Sequence, residues 1–208
     1  MCDYATLVKN LQQFAEQSKH KPLTLGEALD TLDEAGYAFI AIILVLPFMQ
    51  PVPLGPITVL AGVAIATLGW QLFHGHESPV LPKKLHALAL SEHTWQILVK
   101  VCLKILGFCR KFTKPRHLTL VNGKRGQKVG GFILLASGAL MAIPFGVLPL
   151  NNVLPGLAIL FYCVGELESD GLMFYIAFFW LILTVVYFGA FFFMLWFFGK
   201  EALTMFQF

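Results

Sequence analysis

Residues 36–73 read GYAFIAIILVLPFMQPVPLGPITVLAGVAIATLGWQLF, in which a proline-rich break at 47–56 separates two apolar runs. Proline lacks the N–H that continues a helix and its ring crowds the preceding turn, so a helix from residue 36 ends or kinks at Pro47. The two runs give about 16 Å and about 25 Å of helix, each short of a hydrocarbon core of about 30 Å. The stretch is therefore either two short spans or a re-entrant hairpin.

The same pattern returns between residues 130 and 168, with its break at 144–152. Pro53 aligns with Pro149 at a shift of 96 positions (149 − 53). The chain is therefore predicted to be a tandem duplication. Non-helical backbone at membrane depth is tolerated only where protein or water covers its polar groups, so each break needs the other copy as a neighbour.

The composition indicates an integral membrane protein. Hydrophobic residues make up 57% of the chain and charged residues only 13%, which departs from ordinary globular usage. The run 171–198 contains no charged residue and gives about 42 Å of helix, enough to span a membrane with tilt. Nine of the fifteen Lys and Arg residues lie between Lys100 and Lys128. This basic segment either contacts anionic head groups or marks the cytoplasmic side.

The fold class predicted from these patterns is an all-α integral membrane protein. We expect two pseudo-symmetric, inverted repeats, each with a proline-broken, re-entrant helical hairpin, together with amphipathic surface helices. The expected parts are an amphipathic N-terminal helix at 1–23, repeat 1 at 24–112 with its broken hairpin at 36–73, and repeat 2 at 113–208 with its broken hairpin at 130–168 and a final transmembrane helix at 171–198.

One helix between the two hairpins has two interpretations. Gln96, Lys100 and Lys104 recur every fourth residue in an otherwise apolar run from Trp95 to Cys109. The helix either crosses the membrane with this polar stripe facing the protein interior, or lies in the interface with its lysines snorkelling to water. Re-entrant hairpins can be inverted only if this helix crosses.

A second amphipathic helix is predicted after residue 23. Thr24 and Glu27 have the spacing of a capping box, and the outer face that follows is acidic from Glu27 to Glu34. This face either docks on the basic segment or is simply solvated.

The two breaks are the first candidate site. A helix interrupted at membrane depth presents unpaired N–H groups and the positive end of its dipole, which attract an anion, and transporters with interrupted helices bind substrates there. The alternative is that Asn152 is an N-cap, Pro155 a first-turn proline and the breaks are turns. The candidate substrate-binding residues are Pro53, Gly55, Pro56, Ile57, Pro149, Asn151, Asn152 and Val153, with Gln71 as a further polar candidate.

Three acids form the second candidate site. Glu166, Glu168 and Asp170 follow one another near a helix C-terminus, where the dipole disfavours negative charge. They either couple an ion or pair with Lys100, Lys104 or Arg125, or Asp170 is the N-cap of the final span and the others lie in interfacial water.

Sequence motifs of enzymes are missing. There is no nucleophile elbow, phosphate-binding glycine loop, HExxH or paired DxD. His74, His76 and Glu77 resemble a metal cluster only loosely and are typical of a loop. We therefore expect a protein that is not an enzyme, with no cofactor, no metal site and no nucleic-acid partner.

The segments LPFMQPVPLGP (46–56), GVAIATLGWQLFHG (62–75) and LPGLAILFYCVGELESDGL (154–172) resemble the ExoD family of bacterial membrane proteins, which is linked to exopolysaccharide synthesis. The resemblance covers roughly residues 24–198 and implies a multi-pass protein of the bacterial inner (cytoplasmic) membrane. Glu166 departs from the family pattern, which favours an apolar or small residue there. The matching positions are Pro47, Pro51, Pro53, Gly55, Pro56, Gln71, Pro144, Asn151, Leu154, Pro155, Glu168, Asp170 and Gly171.

With that resemblance, the expected function is export or assembly of exopolysaccharide by transport or scrambling of an anionic species, such as a polyprenyl-phosphate-linked precursor. The alternative is a non-transporting scaffold or regulator of a polysaccharide synthase. The expected partners are membrane lipid, an anionic lipid-linked saccharide and a second copy of the chain. The homodimer is suggested by the small residues Ala61, Gly62, Ala64, Ala66, Ala136 and Gly138.

Overall fold

The computed structural model describes residues 4–20, 24, 27, 35–49, 56–76, 78–80, 91–109, 113–114, 116, 121, 123–144, 148 and 150–205. Within these residues the protein is all-helical, as predicted. The helices are α1 (Tyr4–His20), α2 (Ala35–Val45, continued by a 3-10 turn at Leu46–Phe48), α3 (Pro56–Phe73), α4 (Glu92–Cys109), α5 (Gly123–Met141), α6 (Val153–Leu167) and α7 (Gly171–Met205).

Two of these helices are long and apolar enough to cross a membrane, α3 and the Gly171–Phe197 part of α7. This agrees with the predicted membrane protein. The proline signals also act as expected. Pro47 lies in the 3-10 turn that ends α2, and Pro56 is the first residue of α3, where its missing N–H costs nothing.

Glycines hold α3 against α5 at backbone distance. A Cβ atom on Gly62 would lie 2.5 Å from the backbone nitrogen of Ala142, and one on Gly138 would lie 2.5 Å from that of Ala66. Gly69 meets the backbone of Leu135 in the same way. Such crossings are typical of helices that associate in lipid. Because Gly62, Ala66 and Gly138 pack within one chain, a homodimer would use other residues.

The order of these contacts fixes the direction of the hairpins. Gly62, near the start of α3, lies beside Ala142 at the end of α5, and Gly131, in the first half of α5, lies beside Phe73 at the end of α3. Likewise, Gly156 near the start of α6 lies beside Met49, just after α2. The described residues that flank the two proline-containing breaks are therefore at one end of the bundle, which we call the tip end; the opposite end is the base end.

The expectation of inverted hairpins is thereby corrected. Both hairpins run from the base end to the tip end and back. The physical reason is that the return helix of the first hairpin docks antiparallel, backbone to backbone, on the outgoing helix of the second.

The polar stripe of α4 faces outward. Trp95 and Val99 are buried, whereas Gln96, Lys100 and Lys104 are exposed. Phe14 of α1 packs on Trp95 with 5.9 Å between ring centroids. The polar stripe therefore does not face the protein interior. Because both hairpins run in the same direction, α4 does not have to cross the membrane.

The predicted capping box is present. Thr24 N–H donates to Glu27 Oε2 at 3.1 Å, and Glu27 N–H donates to Thr24 Oγ1 at 3.2 Å. Glu27 itself is exposed. The rest of the predicted acidic face, from residue 28 to residue 34, lies outside the described residues.

Candidate functional site

The second hairpin turns into α6 through an unusual backbone. Leu150 has φ of 60°, in the left-handed region that few non-glycine residues adopt. Its carbonyl accepts the N–H of Leu154 at 3.1 Å, and the carbonyl of Asn152 accepts the N–H of Gly156 at 3.0 Å. Pro155 has no N–H. Val153 is thus the position in the first turn of α6 whose N–H these two bonds do not use.

Asn152 is the N-cap residue of α6, but its side chain makes no capping hydrogen bond. Asparagine is favoured at this position because its side chain usually makes such a capping bond. Instead, Asn152 Nδ2 donates to Thr58 Oγ1 in the first turn of α3, over 3.5 Å. Both residues are buried, with 4% and 5% of their surface exposed. The first turns of the two return helices therefore meet at the tip end.

This contact leaves one polar atom without a hydrogen bond. Among the described residues, no group donates to Asn152 Oδ1, although the atom is buried. A buried acceptor without a donor costs about 1–3 kcal/mol. The tip end therefore combines two helix N-termini with an acceptor that a ligand could satisfy.

The other predicted tip residues fall into two groups. Pro56 and Ile57 open α3, and Ile57 is 62% exposed on its outer face. Asn151 is half-buried and precedes the N-cap. Pro53, Gly55 and Pro149 lie outside the described residues. Thr58 was not predicted from the sequence, although it is the hydroxyl residue in the first turn of α3.

Gln71 does not belong to the tip site. It lies 15 positions after Pro56 (71 − 56), about 22 Å along the helix. Its side-chain amide pairs with the backbone of Val80, accepting the N–H at 2.8 Å and donating to the carbonyl at 3.1 Å. Tyr37 holds the same segment by donating to the carbonyl of Ser78 at 3.0 Å. Gln71 thus fastens residues 78–80 to the base end.

Replacing Gln71 with leucine is expected to lower the free energy of unfolding by about 1 kcal/mol, because two hydrogen bonds in a partly exposed site are lost. Hydrogen exchange of the Val80 amide should accelerate in the same variant. Gln13→Leu, at an exposed position of α1, is the control. Unchanged exchange at Val80 would show that other contacts hold this segment.

The acids lie at the base end, where α6 turns into α7. The Asp170 carboxylate is fully buried and accepts from Arg116 Nε at 2.9 Å and Nη2 at 3.2 Å. It also accepts the N–H of Lys114 at 3.1 Å and that of Leu172 at 2.9 Å. Asp170 is therefore the N-cap of α7, and its ion-pair partner is Arg116 rather than Lys100, Lys104 or Arg125. Glu168, also buried, and Glu166, half-buried, precede it.

These bonds set the charge of Asp170. Burial raises the pKa of its carboxyl group, but the hydrogen bonds from Arg116, Lys114 and Leu172, with the Arg116 charge, outweigh burial. The pKa therefore lies below its ordinary value, and the hydrogen bond to Asp170 raises the pKa of Arg116 in turn. Gly171 N–H also donates to the Arg116 carbonyl at 2.8 Å. The arrangement favours the ionised form of Asp170, paired with Arg116 at the junction.

The height of the tip site can be measured along α7. Tyr162 of α6 contacts Phe174 of α7, with 5.4 Å between ring centroids. Val153 lies nine positions before Tyr162 (162 − 153), about 13 Å toward the tip end. It is therefore level with about Leu183 of α7. Phe188 is the last buried residue described in α7, so the helix continues beyond the tips.

Comparison with known proteins adds an independent finding. The chain matches the family described as "Exopolysaccharide synthesis, ExoD" over residues 7–190. It is 29% identical over 168 residues to Protein ExoD of Rhizobium meliloti (strain 1021), a match that covers 81% of this chain and 70% of that protein. No solved structure matches the chain.

Proposed function

Since the chain belongs to the ExoD family of exopolysaccharide synthesis, we propose that it is an inner-membrane protein of that process which scrambles an anionic lipid. The head group, that of a polyprenyl-phosphate-linked or other lipid, binds between the first turns of α3 and α6. The proposal is for binding and movement of a lipid and includes no enzymatic step.

The observation that carries the proposal is the contact between Asn152 and Thr58. It brings two helix N-termini together, and the backbone N–H groups there favour an anion without a charged side chain. Each N-terminus contributes a partial positive charge. In a water-poor site these partial charges act more strongly than in solution.

The depth of the tips supports movement of the lipid as well as binding. The charge-free run of α7 extends from Gly171 to Phe198, so its middle lies near Leu183 to Val185. The tip site is level with this middle. If α7 crosses the membrane, both hairpins end about halfway through it and are re-entrant. A head group held there has covered half of the distance between the two surfaces.

The basic residues support entry from the cytoplasm. Lys124 and Arg125 are exposed at the start of α5, which is the base end, and cytoplasmic segments are enriched in such residues. In this orientation both hairpins enter from the cytoplasmic surface. The outer face of α3 then offers the lipid a path along exposed apolar side chains, which are Ile57, Leu60, Val63 and Trp70.

Flux in vesicles tests the proposal. Purified protein is reconstituted with a polyprenyl phosphate that carries a fluorophore on its chain, and external dithionite bleaches the outer leaflet. We expect bleaching of the inner pool to be faster than in protein-free vesicles and to slow about tenfold in Asn152→Ala, the factor that corresponds to about 1.4 kcal/mol. Asn10→Ala, at a half-buried position of α1, is the matched control. Equal rates with and without the protein would exclude scrambling.

A scaffold or regulator of a polysaccharide synthase is the second candidate. It is favoured by the common direction of the two hairpins, because the described helices of these hairpins do not form an inverted pair that could alternate between two equivalent states. The glycine contacts of α3 with α5 also leave little room for sliding. A photo-reactive residue at exposed Glu27 that captures a synthase subunit in cells, together with no flux in vesicles, would select this function.

A further inference from the structure

The unsatisfied atom in the tip site is a hydrogen-bond acceptor. Asn152 Oδ1 is buried, and no described residue donates to it, whereas the N–H groups of Val153, Ile57 and Thr58 belong to first turns and are donors. A bare anion would satisfy these donors and repel Oδ1. The ligand that satisfies the whole site both accepts and donates hydrogen bonds.

We propose that the lipid bound at the tips carries a phosphomonoester, held as its monoanion with the P–OH group donating to Asn152 Oδ1. This inference rests on the proposed function and specifies its substrate class. The two remaining terminal oxygens accept from the first turns of α3 and α6. A phosphodiester has no P–OH group at neutral pH, and a carboxylate has no O–H group there either.

The low polarity of the site favours the same protonation state. The second ionisation of a phosphomonoester occurs near pH 6 in water. Transfer to a water-poor site disfavours the more highly charged form, so the monoanion is bound in preference to the dianion. Binding therefore weakens as the pH rises and the dianion in solution becomes more stable.

Few titratable side chains of the described helices lie near the level of the tip site. Those of α6 and α7 closest to it are Tyr162 and Cys163 on α6 and Tyr187 on α7. Residues 50–55 and 145–147, which lie outside the described part of the chain, include no titratable residue type. On α3, His74 and His76 follow its C-terminus at the base end.

The assignment separates two forms of a lipid carrier. A polyprenyl monophosphate has the P–OH group, whereas a carrier joined to a saccharide through a diphosphate diester has none. The chain would then handle the unloaded carrier. Release of the saccharide from such a diester leaves a lipid diphosphate, and hydrolysis of its terminal phosphate then supplies the lipid phosphomonoester.

Two lipids that have the same acyl chains and differ in the phosphate group test the proposal. Native mass spectrometry of the full chain in detergent counts bound dioleoyl phosphatidic acid, a phosphomonoester, and dioleoyl phosphatidylglycerol, a phosphodiester. At pH 6 we expect phosphatidic acid to bind at least about tenfold more tightly, about 1.4 kcal/mol. The preference should shrink by pH 8 and fall to about twofold or less in Asn152→Leu, while Asn10→Leu, at a half-buried position of α1, keeps it.

The outcomes separate the inference from the proposed function. Equal binding of the two lipids by the wild-type chain would overturn the inference but leave anion binding intact. Asn152 would in that case present Nδ2 to the ligand instead of Oδ1. A preference that survives in Asn152→Leu would also overturn it, as would competition by inorganic phosphate at the affinity of the lipid. Binding of neither lipid would remove the tip site itself. The pH dependence is measured on the wild-type chain, so this part of the test does not depend on whether a variant folds.

Discussion

Replacement of Gly62 by alanine is expected to lower the free energy of unfolding by about 3 kcal/mol, the upper part of the range for overpacking. The new Cβ atom would lie 2.5 Å from the nitrogen and 2.8 Å from the Cα of Ala142, and 2.8 Å from the Gly138 carbonyl oxygen. All three are backbone atoms, which cannot move as a side-chain end can. The helices would have to separate, and the shift would reach the tip site.

Gly189→Ala provides the matched control for this change. Gly189 lies in α7, and a Cβ atom there meets nothing within 4 Å. Alanine is the better helix former by about 1 kcal/mol, so this variant should be as stable as the wild type or slightly more stable. Unfolding in mixed micelles measures both. Equal stability of Gly62→Ala and the wild type would show that α3 and α5 are not in backbone contact.

The second large effect is expected at Asp170. Asp170→Ala should lower the free energy of unfolding by about 3 kcal/mol, because it removes an N-cap and a charge-assisted pair with Arg116. Asp170→Asn keeps an oxygen that caps α7 and loses the charge, so it should cost about half as much. Lys19, paired with Glu16 at 2.8 Å on the surface, supplies the control. Lys19→Met should change stability by less than about 1 kcal/mol.

The pH dependence of stability gives a separate test of the same pair. The Asp170 pKa is lower in the folded protein than in the unfolded chain, so the unfolded chain binds more protons between the two values. The contribution of the pair is therefore complete above about pH 4 and is lost as the pH falls through the folded pKa. Asp170→Asn should lack this acid loss. An identical acid profile in both proteins would assign the loss to other carboxylates.

Local features of the fold could be predicted from the sequence because each depends on neighbours along the chain. The helix end at Pro47, the capping box of Thr24 and Glu27, and the N-cap at Asp170 are of this kind. Each requires a residue type at a fixed spacing, and the backbone then leaves few alternatives.

The contacts between helices could not be predicted in the same way. Arg116 finds Asp170 across 54 positions (170 − 116), and Asn152 turns to Thr58 across 94 (152 − 58). Both depend on how segments distant in the sequence pack against each other, which periodicity does not determine. The sequence did contain one signal for the contact between α3 and α5. Gly62 and Gly69, like Gly131 and Gly138, are seven positions apart, and two such pairs can face each other along antiparallel helices.

The common direction of the hairpins also bears on how such a chain could arise by duplication. Each hairpin leaves the base end and returns to it, so a copy made in tandem begins on the same side as its original. A unit with an even number of crossings therefore gives both copies the same orientation, and no redistribution of positive charge is needed to accommodate the second copy. A unit with an odd number of crossings would instead give a copy whose orientation is inverted relative to the original. In this chain, α7 is long and apolar enough to cross a membrane, and such a crossing would place the residues after it on the other side.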